Sequence, residues 1–159
     1  MASPLFVKLD EIDFNTVEYP IEEVQKYIPQ RHEMEQIHGV FKLWREEGRG
    51  VGWRDIRGDE FWCRGHIPGR PIFPGVLMIE AAAQLCTFVY KMYSGDEPGR
   101  FIGFGGLDKT KFRGQVKPGD RLILMCKVVE ARSRRFIFDS QGAVNGQLVF
   151  EATITGLPV

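Results

Sequence analysis

The segment that follows Pro74 constrains the fold more than any other part of the sequence. Residues 76–90 form the longest apolar run, and proline is well suited to the start of a helix. The polar side chains of this expected helix recur at i, i+4, i+7 and i+11, on one narrow stripe that contains Glu80, Gln84, Thr87 and Lys91. Because its other faces are apolar, the helix must be enclosed by other structure.

Strand-like segments lie on both sides of this helix. Before it, strands are predicted at residues 37–45 and 50–56 and, as a short candidate, at EFWC, residues 60–63. After Gly95, strands are predicted at 101–108, 111–116, 121–130, 134–144 and 147–156. The sequence KPGD at 117–120 is a turn signal. Asn145-Gly146 is a strong hairpin signal between the last two strands.

One long buried helix and about six strands favour an α+β fold, in which a long antiparallel sheet curls around one central helix. The 159 residues are expected to form a single domain, 1–159, with an irregular or extended segment at residues 1–19. A short helix, IEEVQKYI at 21–28, is predicted to begin after Pro20 and to end before Pro29.

The composition excludes several classes of protein. Lysine and arginine total 21, as do aspartate and glutamate, so no net charge attracts nucleic acid or an anionic membrane. Three cysteines without a C-x-x-C pair argue against a disulfide framework and a zinc site, and we expect a reducing compartment, the cytoplasm. The longest apolar run is too short to span a bilayer, and the N-terminus lacks the apolar core of a signal peptide.

The sequence GHIPGRPIFPGV, residues 65–76, surrounds His66 with proline and glycine. Prolines fix backbone angles, and glycines permit turns that other residues do not. A lone histidine is more often structural. A rigid loop, however, can hold a histidine in one position, as a general base requires. The surroundings of His66 therefore favour a catalytic interpretation.

Glu80 is a lone carboxylate in an otherwise apolar helical segment, where a charge is costly unless it is paired or protonated. One interpretation is an ion pair with an arginine from elsewhere in the chain. The other is a general acid that keeps its proton because it is shielded from water. The composition supports both interpretations equally.

The first turn of the helix could stabilise a developing negative charge. The N–H groups of Gly75 and Val76 have no partner within the helix and lie at the positive end of its dipole. This arrangement suits an oxyanion, and a glycine at position 75 would let a substrate carbonyl approach the backbone. Glu80 follows five residues later, about 7.5 Å along the helix axis.

The sequence GHIPGRPIFPGVLMIEAAAQ closely resembles the signature of the 3-hydroxyacyl-acyl-carrier-protein dehydratases of the FabZ type, G-H-F-P-G-x-P-x-x-P-G-V-L-x-x-E-A-x-A-Q. These enzymes have the hot-dog fold. A second block, GLDKTKFRGQVKPGDRL at 106–122, resembles the family's segment after the helix, and the resemblance runs from about residue 20 to the end. It implies dehydration of (3R)-3-hydroxyacyl thioesters to trans-2-enoyl thioesters, in fatty acid or related lipid or polyketide biosynthesis.

The resemblance assigns roles residue by residue. It implies that His66 is the catalytic histidine, that Glu80 is the catalytic acid, and that the backbone of Gly75 and Val76 binds the thioester carbonyl. It implies no metal and no redox cofactor, with the acyl group carried on a phosphopantetheine arm. It also implies a homodimer whose active sites each combine His66 of one subunit with Glu80 of the other, and assemblies of three dimers occur in the family.

The implied partner, an acyl carrier protein, is acidic, so a basic docking surface is expected near the site. Lys111 and Arg113 are the first candidates, because alternate residues of a strand share one face. Further candidates are Lys109, Lys117, Arg132, Arg134 and Arg135. An ordinary solvated charged face explains any single one of these residues equally well.

The sequence departs from the family in PQRHEMEQIHGV, residues 29–40. Gln30 stands where the family has histidine, and Met34, Glu35 and Gln36 stand where it has Phe-Leu-Leu. Because this segment lies near the acyl pocket in the family, its polar residues leave the substrate open. They also favour one rival, a non-catalytic hot-dog protein that binds acyl chains or scaffolds a synthase. A thioesterase is disfavoured by the complete dehydratase motif, and coenzyme A stays open as the carrier.

Overall fold

The computed structural model describes residues 3–159, which form two α-helices and one seven-stranded antiparallel sheet. The helices are α1 (Ile21–Val24) and α2 (Gly75–Ser94). The strands are β1 (Tyr19–Pro20), β2 (Gly39–Trp44), β3 (Arg49–Asp55), β4 (Ile102–Phe112), β5 (Arg121–Arg132), β6 (Arg135–Val144) and β7 (Gln147–Pro158). Their order in the sheet is β1-β2-β3-β5-β6-β7-β4, so that β1 and β4 form the two edges.

The sheet encloses α2, as the apolar character of this helix predicted. Leu85, Phe88 and Val89 are fully buried, and α2 packs against β3, β5, β6 and β7. Tyr90 stacks on Phe136 of β6, with ring centroids 4.3 Å apart. Within the described chain, α2 is the one helix long and apolar enough to cross a membrane, and most of it is buried in this core. The prediction of an antiparallel sheet around one central helix is confirmed.

The polar stripe of α2 binds the segments that cross the helix. Lys91 is 2% exposed, and its ammonium group donates to the carbonyls of Pro98 at 2.9 Å and Arg100 at 2.5 Å. Burial lowers the pKa of Lys91. The two carbonyls satisfy a group that would otherwise be unfavourable in the core, and they fix the loop that leads into β4.

The N-terminal segment covers the outer face of the sheet. Val7 is buried in a second apolar cluster together with Phe41 of β2 and Ile123 of β5. The side-chain amide of the buried Gln141 donates to the carbonyl of Pro4 and accepts the N–H of Phe6, both at 2.8 Å. The irregular character of this segment agrees with its sequence, and Met1 and Ala2 of the predicted 1–19 segment lie outside the described residues.

Most of the predicted strands are present with small changes of their ends. The two strands predicted at 101–108 and 111–116 are one strand, β4, which has an irregularity between Asp108 and Lys111 and ends at Phe112. The turn at 117–120 has Gly119 at φ 98°, and its last N–H bonds to its first carbonyl at 3.0 Å. Asn145 and Gly146 adopt φ 49° and 77°, as a tight hairpin turn between β6 and β7 requires.

Two predicted elements are wrong in whole or in part. The EFWC segment, residues 60–63, forms turns instead of a strand, because the Glu60 carboxylate accepts the N–H of Arg57 and the Glu60 carbonyl accepts that of Cys63. The helix predicted at 21–28 is the single turn α1, followed by turns at residues 25–27. The Tyr27 N–H bonds three residues back, to Val24 at 2.9 Å, which tightens the chain before the proline.

Gly156 of β7 lies against the ring of Phe136 with no space for a side chain. A Cβ at position 156 would lie 2.0 Å from Cζ of Phe136, whose ring is already held between Tyr90 and Phe138. We therefore expect Gly156→Ala to lower the free energy of unfolding by about 1–3 kcal/mol, measured by urea denaturation. Gly99→Ala is the control, since nothing lies within 4 Å of its added methyl group. Equal stabilities of the two variants would contradict this packing.

Candidate active site

His66 lies half-buried in a series of turns between β3 and α2. Its N–H donates to the carbonyl of Trp62 at 2.8 Å. The buried rings of Trp62 and Phe73, with centroids 5.5 Å apart, anchor this loop in the core. Ile67 has φ 58°, a left-handed conformation that is strained for a β-branched residue. Strain of this kind is concentrated at functional sites, so the loop has the character predicted for a catalytic histidine.

A buried ion pair lies beneath the His66 loop, and the sequence analysis did not identify it. Arg54 of β3 is 3% exposed, and its guanidinium binds the Glu60 carboxylate and lies 5.0 Å from the ring centre of Phe73. Burial, and to a lesser extent the charge of Arg57, lowers the pKa of Arg54 to about 10, so Arg54 remains charged at neutral pH. The pair ties β3 to the start of the loop.

Glu80 lies on α2, and an amide group holds its carboxylate. Oε1 of Glu80 accepts a hydrogen bond from Nε2 of Gln84 at 2.8 Å. Gln84 is 1% exposed; its Nε2 also donates to the carbonyl of Met34 at 2.7 Å, and its Oε1 accepts the N–H of Gln36 at 2.9 Å. Within residues 3–159, the hydrogen-bond partner of Glu80 is thus this amide, and not the arginine that one interpretation of the sequence required. Gln84 has fixed partners of its own and therefore orients Glu80.

The Glu80 side chain borders a cavity of about 230 Å³ between α2, β4 and β7, called here the Glu80 cavity. Its lining residues are Gln30, Glu80, Ala83, Gln84, Thr87, Phe101, Ile102, Gly103, Phe104, Phe136, Ile154, Thr155 and Gly156. Ala83 and Thr87 follow Glu80 at i+3 and i+7, so the cavity runs along one face of the helix. The cavity has space for the chain of an acyl group beside the Glu80 carboxylate.

The segment that departs from the family pattern has only a small part in this cavity. Among the described residues of 29–40, Gln30 is the one that lines it. Glu35 instead accepts a hydrogen bond from Gln25 at 2.6 Å, and the Gln36 amide donates to the carbonyl of Glu33 at 2.6 Å. Met34 is 46% exposed. The side chains of Glu35 and Gln36 therefore bind neighbouring structure, while the backbone of Met34 and Gln36 holds Gln84.

The N-terminus of α2 begins at Gly75, as predicted. The first helical hydrogen bonds are those of Leu77 and Met78 to the carbonyl of Pro74, at 3.0 and 3.1 Å, so the N–H groups of Gly75 and Val76 precede them. A Cβ at position 75 would lie 2.8 Å from the Phe112 ring. Glycine is therefore required here by the close approach of Phe112, a reason that differs from the substrate contact expected from the sequence.

One chain does not place all the predicted catalytic groups around one cavity. Of the four predicted site residues, Glu80 lines this cavity, whereas His66, Gly75 and Val76 are not among the described residues that line it. Val76 is 72% exposed, and His66 is half-buried at the surface. The cavity reaches the surface at Phe101 and Phe104, which are 57% and 52% exposed. Phe101 directly precedes the edge strand β4, and Phe104 belongs to it. A single chain therefore does not bring the four predicted site residues together around this cavity.

The two predicted docking residues, Lys111 and Arg113, flank a carboxylate. Nε of Arg113 donates to Glu151 at 2.9 Å, and Lys111 lies opposite Glu151 in the strand register. The hydrogen bond from Arg113 is the main cause that lowers the pKa of Glu151. Arg64 and Arg70, which the sequence analysis did not select although they belong to the His66 loop, are both exposed. The loop that carries His66 therefore adds two exposed positive charges of its own.

An antiparallel sheet wrapped around one central helix, with a histidine on a strained loop and a carboxylate on the helix, defines a hot-dog protein of the dehydratase type. The profile of the FabA-like domain matches residues 28–153, and the chain belongs to this family. It is 39% identical over 135 residues to the 3-hydroxyacyl-[acyl-carrier-protein] dehydratase FabZ of Teredinibacter turnerae, covering 83% of this chain and 91% of that protein. The FabZ of Escherichia coli is 34% identical over 142 residues, covering 88% and 93% of the two chains.

Solved structures of low sequence identity share the fold. A chain of the dehydratase heterocomplex ApeI:P from Xenorhabdus doucetiae superimposes with a TM-score of 0.71 at 13% identity, covering 86% of this chain and 90% of that one. A hypothetical thioesterase from Streptococcus pneumoniae, solved with coenzyme A, gives a TM-score of 0.58 at 14% identity, covering 76% and 84%. At such identities the likeness shows the fold alone.

The buried pair beneath the His66 loop generates a prediction about stability. Arg54→Met leaves the Glu60 carboxylate buried without its partner, and we expect a loss of about 3–5 kcal/mol in the free energy of unfolding, measured by urea denaturation. The double variant Arg54→Met/Glu60→Met removes both charges and should recover most of that loss. Arg57→Met is the control, since its ion pair with Asp59 is exposed and should contribute at most about 1 kcal/mol. A double variant less stable than Arg54→Met would contradict the proposed pairing.

Proposed function

We propose that this protein dehydrates (3R)-3-hydroxyacyl thioesters, carried on acyl carrier protein, to trans-2-enoyl thioesters in fatty acid biosynthesis. The observation that carries the proposal is the Glu80 carboxylate, held by Gln84 beside a cavity of about 230 Å³, in a chain 39% identical to a FabZ dehydratase over 135 residues. The rival of a non-catalytic protein rested on the polar patch at residues 33–36. The side chains of Glu35 and Gln36 bind neighbouring structure and leave Glu80 available to substrate.

The proposed chemistry needs one base, one acid and hydrogen bonds to the thioester oxygen. His66 removes a proton from C2, and the N–H groups of Gly75 and Val76 stabilise the negative charge that develops on the oxygen. Glu80 donates a proton to the 3-hydroxyl, the C3–O bond breaks, and water leaves as the C2–C3 double bond forms. Gln84 donates to Oε1 of Glu80, which leaves Oε2 to hold the transferable proton. Because loss of water involves no net oxidation or reduction, and because His66 and Glu80 supply the base and the acid, the proposed mechanism uses no metal and no redox cofactor.

We infer that a second copy of the chain completes the site. The free edge of the sheet at β4 is apolar, since Phe104 and Leu107 of this strand are 52% and 38% exposed. An apolar edge strand is a template for pairing with another strand. Pairing of two β4 strands in a homodimer covers the mouth of the Glu80 cavity. It also lets His66 of one subunit act with Glu80 of the other, and three such dimers could associate further.

The substrate would reach this site on the phosphopantetheine arm of an acidic carrier protein. The basic groups proposed to receive that carrier are Lys111 and Arg113, together with Arg64 and Arg70 beside His66. Their positive charge complements an acidic partner and would accelerate encounter. Cys63, Cys86 and Cys126 are free thiols, which supports a location in the reducing cytoplasm.

The test of this function is the hydration of a short trans-2-enoyl thioester by the purified protein. We expect His66→Ala and Glu80→Gln each to lower kcat by about 10²–10⁴-fold, the usual contribution of a general acid or base. Glu97→Gln is the matched control, because Glu97 is exposed in the loop after α2. A wild-type protein without turnover, or variants as active as the control, would show that the proposed reaction is wrong.

A further inference from the structure

The Glu80 cavity contains polar groups that the proposed dehydration does not use. Gln30 lines the cavity, and its amide oxygen is buried without a hydrogen-bond partner among residues 3–159. Thr87 lines the same cavity from α2, seven residues after Glu80 and therefore about 10.5 Å further along the helix axis. Thr155 of β7 adds a third polar side chain to the wall. An acyl chain that enters the cavity from Glu80 would therefore extend along a wall that carries these three groups.

An unbranched alkyl chain fits this wall poorly. It would pass between apolar residues such as Phe136 and Ile154, but it would also cover the Gln30 amide and offer it no hydrogen bond. A buried amide without a partner is unfavourable, whereas a substrate group that bonds to it gains both affinity and selectivity. A hydroxyl group both donates and accepts, so it can bond to the Gln30 amide in either of its two orientations.

We propose that the cavity selects acyl chains that carry a hydroxyl or a similar hydrogen-bonding group beyond C4, with Gln30 and Thr87 as the residues that determine this specificity. The proposal rests on the proposed function, because it takes Glu80 as the group that acts at C3. Gln30 stands where the FabZ-type sequences carry histidine, so the preference belongs to this chain and need not hold for its relatives.

Paired substrates test the preference directly. Trans-2-enoyl pantetheine thioesters of six to twelve carbons are prepared in two series, one ending in a methyl group and one in a hydroxyl group, and hydration is measured as kcat/KM. For wild type we expect the hydroxyl series to be favoured by about tenfold or more at the length that reaches Gln30, the factor typical of one additional hydrogen bond. Gln30→Leu should reverse the preference and Thr87→Val should reduce it, while Gln147→Leu, at an exposed glutamine, should leave it unchanged.

Measurements of binding test the selectivity of the cavity independently of the proposed dehydration. The Kd values of the saturated acyl-pantetheine pairs, measured by calorimetry, report the selectivity of the cavity even if no thioester is hydrated. A tighter Kd for the hydroxyl series that is lost in Gln30→Leu supports the proposal whether or not turnover occurs. The proposal is overturned if the hydroxyl series binds equally or more weakly at every length, or if Gln30→Leu does not change the ratio of the two Kd values. Either result indicates that a water molecule forms the hydrogen bond to the Gln30 amide.

Discussion

The enclosure of α2 by the sheet is the constraint on which the rest of the structure depends. The helix is buried on nearly every side, so its fully buried polar groups require partners from the segments that cross it. Gln84 binds the backbone of residues 34–36, and Lys91 binds the carbonyls of Pro98 and Arg100. These contacts fix both flanking segments and leave Glu80 and Thr87 directed to the one face of the helix where a cavity remains.

The same enclosure is a physical reason for the proposal that the site is shared by two chains. The sheet encloses most of α2, and the Glu80 cavity opens beside β4, at an apolar edge. The His66 loop is fixed by its own contacts with Trp62 and with the buried pair of Arg54 and Glu60, and in one chain His66 lies outside that cavity. A homodimer formed along β4 would therefore protect an exposed strand edge and supply the missing base in one step. Assembly and catalysis would then depend on the same surface.

Local signals were sufficient to predict the elements on which the site is built. The apolar run after Pro74 predicted α2, the glycines and prolines around His66 predicted its turns, and Asn145-Gly146 predicted the last hairpin. The sequence did not reveal contacts that depend on the register of the sheet. The Arg113–Glu151 pair joins residues 38 apart in sequence, and the bond from Phe6 to Gln141 joins residues 135 apart. EFWC forms turns because Glu60 binds the N–H groups of Arg57 and Cys63 and the Arg54 side chain, polar contacts that a pattern of apolar residues does not reveal.

The central claim, that each site combines His66 of one subunit with Glu80 of the other, is tested most directly by mixing two inactive variants. His66→Ala and Glu80→Gln are unfolded together, refolded as an equimolar mixture and assayed for hydration of an enoyl thioester. If the sites are shared, half of the dimers are mixed and half of their sites are intact, so the account predicts about a quarter of wild-type activity. Each variant refolded alone should remain inactive. A mixture no more active than the separate variants would contradict the shared site and place both groups in one chain.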